Sequence, residues 1–177
     1  MKTNSIKERI KEYFFLNPTI RLRVRQIERT LSLPLPSVIR YAKELEKERI
    51  LKETIISEVK LYSADRSSKE YLLEKKCFNL KSLHRCGLVD FLAKELHNPA
   101  IILFGSYAKG EDTEVSDIDI YIEASFEKKG AVEEFEKALK RKIQFFTYKN
   151  VHHIRNKELA NNILNGIIIN GHIEIFI

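Results

Sequence analysis

Residues 103–123 read LFGSYAKGEDTEVSDIDIYIE, and the fold of the second half of the chain turns on them. The stretch starts inside a continuous apolar run, AIILF (100–104), of the kind that fills a buried strand. Gly105-Ser106 follows, then ten residues, then Asp117-x-Asp119. Ile118, Ile120 and Ile122 alternate with Asp119, Tyr121 and Glu123, which predicts a second strand. Gly105 ends the first strand and opens a helix, whose free N–H groups can bind a phosphate. With no side chain, glycine lets that phosphate come close to the backbone. Ser106 adds a hydroxyl donor, Lys109 a positive charge one turn on, and Gly110 a place to turn back.

Asp117 and Asp119 are two apart on a strand, so they project to one face. Two adjacent carboxylates without a buried cation repel each other. A divalent metal, Mg²⁺ or Mn²⁺, relieves that repulsion, and Mg²⁺ favours one or two carboxylates together with phosphate oxygens. Ser116 is placed to tighten the turn and orient the first carboxylate. The two halves make one site, with backbone donors on one side of a triphosphate and metal on the other. That arrangement suits nucleotidyl transfer.

With these residues, the region 99–170 resembles the minimal nucleotidyltransferase branch of the polymerase-β-like superfamily. The resemblance implies that Gly105 and Ser106 bind nucleotide phosphates, with Lys109 and Ser116 beside them. It implies that Asp117 and Asp119 ligate the metal and are the catalytic pair, with an NTP, ATP in the first instance, as substrate. Active members carry a third carboxylate on the next strand. Here the matching stretch is RKIQFFTY (141–148), and the position falls on Gln144, which cannot take a proton and is a weak ligand for a hard cation. Glu111, Asp112, Glu114, Glu123 and Glu174 are the candidate substitutes, although Glu123 lies about 13 Å along the strand from Asp119. Either transfer is slow, or another group substitutes, or the domain only binds nucleotide.

The rest of this half alternates helices and strands. Residues 131–141 predict an amphipathic helix with Val132, Phe135 and Leu139 inward. Residues 143–147 predict a third strand, 157–164 a short helix, and IIIN (167–170) and HIEIF (172–176) a closing hairpin turned at Asn170-Gly171. The expectation is an α/β (α+β) domain over 99–177 with a mixed central sheet. Phe145, Phe146 and Tyr148 fit packing better than base stacking, and His152-His153 fits a polar surface pair.

The first third has a different grammar. Ile6, Ile10, Tyr13 and Phe14 recur at helical spacing over 4–16, with Asn4 or Ser5 as the cap and Asn17-Pro18 as the stop. Ile20, Leu22 and Val24 alternate with Arg21, Arg23 and Arg25, which predicts a short strand with one basic face. A short helix over 24–31, a Pro34–Pro36 turn and a helix over 36–48 follow. Residues 50–63 then predict two short strands around Ser57-Glu58. This order resembles the winged helix-turn-helix of prokaryotic regulators, with PSVIRYAKELEKERILK (36–52) as the recognition helix and its exit. That family usually has Gly where Arg49 sits. The whole chain resembles archaeal proteins that join a winged helix to a minimal nucleotidyltransferase, and FNLKSLHRCGLVDFLAKELHNPAIILFGSYAKG (78–110) carries that match.

Charge supports a division. Residues 1–64 hold 14 Lys/Arg against 8 Asp/Glu, whereas 65–177 hold 17 of each, so the net charge of +6 lies in the first third. Such asymmetry suggests a polyanion-binding module joined to something else. In a winged helix, Ser37, Arg40, Tyr41 and Lys43 face outward near the start of the recognition helix, and Arg21, Arg23 and Arg25 on one strand face, with Lys60 in the wing, suit phosphate contacts. Double-stranded DNA is the expected partner, bound by a homodimer if the site is operator-like. The resemblance also brings in a toxin-like partner protein. No apolar run reaches the roughly 20 residues a bilayer span needs, so no membrane association is expected. The charged N-terminus lacks a secretory signal, and the expected location is cytoplasmic. Cys77 and Cys86 lack the partners of a metal quartet.

The expected architecture is therefore two domains: a mostly α winged helix with a small β wing over 1–65, a helical connector over 66–98, and the nucleotidyltransferase fold over 99–177. The expected activity is NMP transfer from a Mg-NTP to an acceptor hydroxyl, coupled to DNA binding. The alternative is a catalytically impaired, nucleotide-binding regulator or antitoxin-like protein.

Overall fold

The computed structural model describes residues 5–124 and 132–175. The chain divides into two compact units, 1–78 and 79–177.

In the first unit, helix α1 (Ile6–Leu16) starts where the Ser5 side chain accepts a hydrogen bond from the Glu8 N–H at 3.2 Å. Asn4 lies outside the described residues. Ile10, Phe14 and Phe15 enter the core, and the Asn17 side chain closes the helix on the Tyr13 carbonyl at 2.8 Å. Helix α2 (Val24–Leu31) stops at Ser32, which takes the left-handed conformation. Helix α3 (Leu35–Lys47) has Pro36 in its first turn and buries Val38, Ala42 and Leu45 at the expected spacing. Strands β1 (Leu51–Ile56) and β2 (Val59–Ala64) pair antiparallel. Ser57 and Glu58 both have positive φ, the geometry of a tight hairpin whose twist matches its strands.

Two local features differ from a simple reading of the pattern. The strand expected around residues 20–25 contracts to one antiparallel bridge, Leu22 to Tyr62, with backbone bonds of 2.9 and 2.8 Å. Helix α2 begins at Val24 and ends the extended segment early. Arg49 adopts φ 61°, a conformation glycine takes without strain. Its guanidinium reaches Asp65 at 3.2 Å, which offsets part of the cost.

Helix α4 (Lys69–Arg85) and helix α5 (Leu88–Glu95) fill the expected connector. They do not form a body of their own. Tyr71, Leu72 and Phe78 join the core of the first unit, whereas Leu80, Leu83, Leu88 and Leu92 join that of the second.

The second unit is a four-stranded mixed sheet covered on both faces. Its strands are β3 (Ile101–Phe104), β4 (Ile118–Ile122), β5 (Ile143–Thr147) and β6 (Ile167–Asn170). The order is β5-β4-β3-β6, with β3 antiparallel to both neighbours and β4 parallel to β5. One face packs Ile118, Ile120, Ile122 and Ile143 against α5, the short helix α6 (Gly105–Lys109) and helix α7 (Val132–Leu139). The other packs Ile102, Phe104 and Tyr121 against a 3₁₀ turn at Val151–His153 and helix α8 (Lys157–Leu164). Ala131, the expected start of α7, lies outside the described residues.

The closing hairpin does not form over the described residues. Residues 172–175 pair with no strand, and the rest of HIEIF lies outside the description. The Asn170 side chain instead donates to the Pro99 carbonyl at 2.7 Å, and Gly171 (φ 67°) sits against Pro99 and Ala100. That close backbone approach takes the chain out of the sheet. Among the described residues, no helix is long and apolar enough to cross a membrane.

Candidate functional site

Strand β3 runs into α6 at Gly105, and neighbouring β4 carries Asp119 directly opposite Phe104. This register brings the glycine turn and the carboxylate together. Gly105 has φ 72°, and a Cβ placed on it would lie 2.2 Å from Asp119 Oδ2. Both facts require glycine here: the backbone is left-handed, and the carboxylate occupies the space a side chain would need. Ser106 follows, half-buried, and Lys109 is exposed at the end of α6.

Asp117 is exposed and just precedes β4, while Asp119 is half-buried on it. Burial, and then the nearby Asp117 charge, raise the Asp119 carboxyl above its ordinary value. Among the described residues neither carboxylate has a cation within ion-pair distance, and Lys142, itself paired with Glu136 at 3.0 Å, is the charged neighbour of Asp117. Even with Lys142 nearby, two carboxylates this close against a glycine turn fit a hard divalent cation with phosphate oxygens completing its shell. Asp117 and Asp119 are the residues that could hold it.

Ser116 is engaged inside its own turn. Its hydroxyl accepts from the Thr113 N–H at 2.9 Å and pairs with the Thr113 hydroxyl at 3.1 Å. Its place is behind Asp117, shaping the loop.

The loop has a buried footing that the motif does not reveal. Asp112 is 1% exposed, and its Oδ1 accepts from the Asn79 carboxamide at 2.8 Å. Asn79, equally buried, also donates to the Tyr107 carbonyl at 2.9 Å. The Arg141 guanidinium lies 4.0 Å from Asp112 Oδ2. Asn79 thus joins α6 to the loop that presents Asp117. A cleft of about 550 Å³ opens beside Asp117, lined by Ser116, Glu136, Lys137, Lys140 and Arg141 among others.

Gln144 stands opposite Asp119 in the parallel β4–β5 register and is exposed. Among charged groups, Asp117 alone contributes to the Asp119 shift, while Glu114, one of the candidate substitutes, lines the same cleft as Asp117. Asp112 is committed to Asn79. Glu123 lies beyond the far end of β4, where burial raises its pKa and where His152, Glu174 and His172 are its charged neighbours. The aromatic residues pack. Phe145 joins one sheet face, Phe146 meets Phe104 at 5.1 Å, and Tyr148 stacks on Tyr121 at 6.4 Å. His153 pairs with the Asn150 side chain at the surface.

Residues 88–173 match the family model described as polymerase beta, nucleotidyltransferase. The match runs from α5 through β6 and contains Gly105, Ser106, Asp117, Asp119 and Gln144. It supports nucleotidyl transfer as the general activity of this part of the chain. The chain is also 47% identical over 60 residues to a protein of Methanocaldococcus jannaschii provisionally named a protein adenylyltransferase. That similarity covers 30% of this chain and 60% of the length of the relative.

On the first unit, Arg25, Arg40 and Lys43 are exposed, and Ser37 and Tyr41 are half-buried. The Arg40 guanidinium lies over the Tyr41 ring at 4.3 Å, donates to its hydroxyl, and sits 3.8 Å from Glu44. Lys60 pairs with Glu53 at 2.9 Å.

Proposed function

We propose that residues 79–177 transfer a nucleoside monophosphate from a Mg²⁺-bound NTP to a hydroxyl of a protein acceptor. The observation that carries the proposal is Gly105 pressed against Asp119, with the Asp117 carboxylate close enough to raise the Asp119 pKa. The relative's name points to ATP as donor and a protein as acceptor. When bound, the metal would neutralise the triphosphate and stabilise the departing pyrophosphate. Backbone N–H groups at Gly105 and Ser106 and the Ser106 hydroxyl bind and orient phosphate oxygens. Asn79 and Asp112 keep the Asp117 loop in register with α6. The acceptor oxygen attacks the α-phosphorus, the bond to the β-phosphate oxygen breaks, and pyrophosphate leaves. Gln144 cannot accept the hydroxyl proton, so that proton passes to water.

The test is incubation with α-labelled ATP or GTP, Mg²⁺ or Mn²⁺, and protein extract. The expected result is label on a protein and release of pyrophosphate, both lost in the Asp119→Asn variant. Gln144 favours a second reading, a nucleotide-binding regulator or antitoxin-like protein without turnover. Under it, wild type binds nucleotide without releasing pyrophosphate, and Gln144→Asp creates the activity.

We also propose that residues 1–78 are a winged helix that binds double-stranded DNA. Support comes from the order of three helices and a hairpin, the Leu22–Tyr62 bridge that adds a third extended segment, and the excess positive charge. The measurement is duplex binding as a function of salt, with a steep fall in affinity expected.

A further inference from the structure

Several cations on the first unit have acidic partners. Lys7 pairs with Glu48 at 2.6 Å, Lys11 with Glu8 and Glu74 at 2.9 and 3.0 Å, and Arg49 with Asp65 at 3.2 Å. Lys60 and Arg40 likewise have carboxylates within reach. Arg21, Arg23, Arg25 and Arg29 do not: none forms an ion pair among the described residues. These four line a single cleft of about 450 Å³, with Gln26 and Leu61 as their companions. Arg21 and Arg23 are two apart on an extended segment and share a face. Arg25 and Arg29 are four apart on α2 and share a face as well. Four guanidinium groups gathered without an acid repel one another and cost folding energy, which a bound polyanion offsets.

Resting on the reading of residues 1–78 as a DNA-binding unit, we propose that this arginine cleft, and not the exposed start of α3, is its main grip on the phosphodiester backbone of duplex nucleic acid. Guanidinium groups match phosphate oxygens in bidentate fashion. The cleft lining includes no aromatic ring on which a base could stack and no carboxylate to read an amino group, so it engages backbone and not sequence. Two pairs of arginines on two elements suit successive phosphates along a strand. An acidic protein would call for apolar anchors around the charges, and Leu61 is the sole apolar side chain in the lining.

The experiment measures binding of the full chain to a mixed-sequence duplex of about 20 base pairs across a salt series. The variant Arg21→Gln/Arg23→Gln/Arg25→Gln/Arg29→Gln should bind at least about ten-fold more weakly near 100 mM salt, and its log–log salt slope should be shallower by about 3 to 4. The quadruple Arg→Lys variant should keep most of the slope. Each double variant, Arg21→Gln/Arg23→Gln or Arg25→Gln/Arg29→Gln, should lose about half of the change, which keeps the test open if the quadruple variant does not fold. Arg40→Gln/Lys43→Gln should change the slope less than either double. Wild-type binding that survives in the cleft variants but falls in the α3 variant overturns this inference and leaves DNA binding standing. Absence of duplex binding by wild type overturns both. Competition by tripolyphosphate or polyglutamate at lower charge concentration than duplex also overturns it, in favour of a free polyphosphate or an acidic protein.

Discussion

In residues 1–78 four arginines gather in one cleft without an ion pair among the described residues; in residues 79–177 two carboxylates, Asp117 and Asp119, gather against a glycine turn. Other charges in each unit are matched: Lys7 with Glu48 and Lys60 with Glu53 in the first, Lys142 with Glu136 in the second. The first unit offers a cleft of guanidinium groups and the second a pair of carboxylates against a glycine turn. Under the two proposals, one takes a polyanion and the other a metal with its phosphates.

The largest expected effect follows from removing the negative pair. Asp117→Asn/Asp119→Asn should lower nucleotidyl transfer by about 10³-fold while raising the melting temperature without metal by about 2–4 °C, because a half-buried charge and a repulsion disappear. Loss of both activity and stability would show the two carboxylates to be structural. Gly105→Ala comes next. Its Cβ would meet Asp119 Oδ2 at 2.2 Å, and φ 72° disfavours alanine. Thermal unfolding should show a loss of about 2–3 kcal/mol, with transfer falling too. Asn79→Ala removes one donor from two buried acceptors, the Tyr107 carbonyl and Asp112 Oδ1. Urea unfolding should register about 1–3 kcal/mol, and the remaining activity should fall through loop disorder without a change in metal preference. The smallest effect belongs to a matched charge. Lys60→Gln should leave the melting temperature within about 1 °C and duplex affinity within about two-fold, as expected for a surface pair.

The geometry of the candidate site was legible because its signal is local. A glycine that must be left-handed and two carboxylates two apart on a strand are visible at short range, and register alone was needed to bring them together. The position of Gln144 was legible for the same reason, since β4 and β5 pair in parallel with Asp119 opposite it. The footing of the site was not. Tyr71, Lys75, Asn79 and Leu83 recur every four residues on α4 and are all buried. Lysine and asparagine break the apolar pattern, so the stripe is hidden from hydropathy. Its polar members are kept inside by distant partners, the Phe15 carbonyl for Lys75 and Asp112 for Asn79. The arginines at 21, 23 and 25 were visible as an alternating basic face. Arg29 joins them only because α2 starts at Val24 and brings the helix face round to the extended segment. The final strand was misread because alternation in HIEIF signals exposure on one side without supplying a neighbour. The close backbone approach at Gly171 turns the chain away.

Calorimetric titration of MgATP into wild type and into Asp117→Asn/Asp119→Asn tests the central claim most directly. The account predicts Mg²⁺-dependent binding at one site per chain in wild type and none in the variant. Binding of equal strength in both proteins, or in wild type with EDTA in place of Mg²⁺, would contradict it.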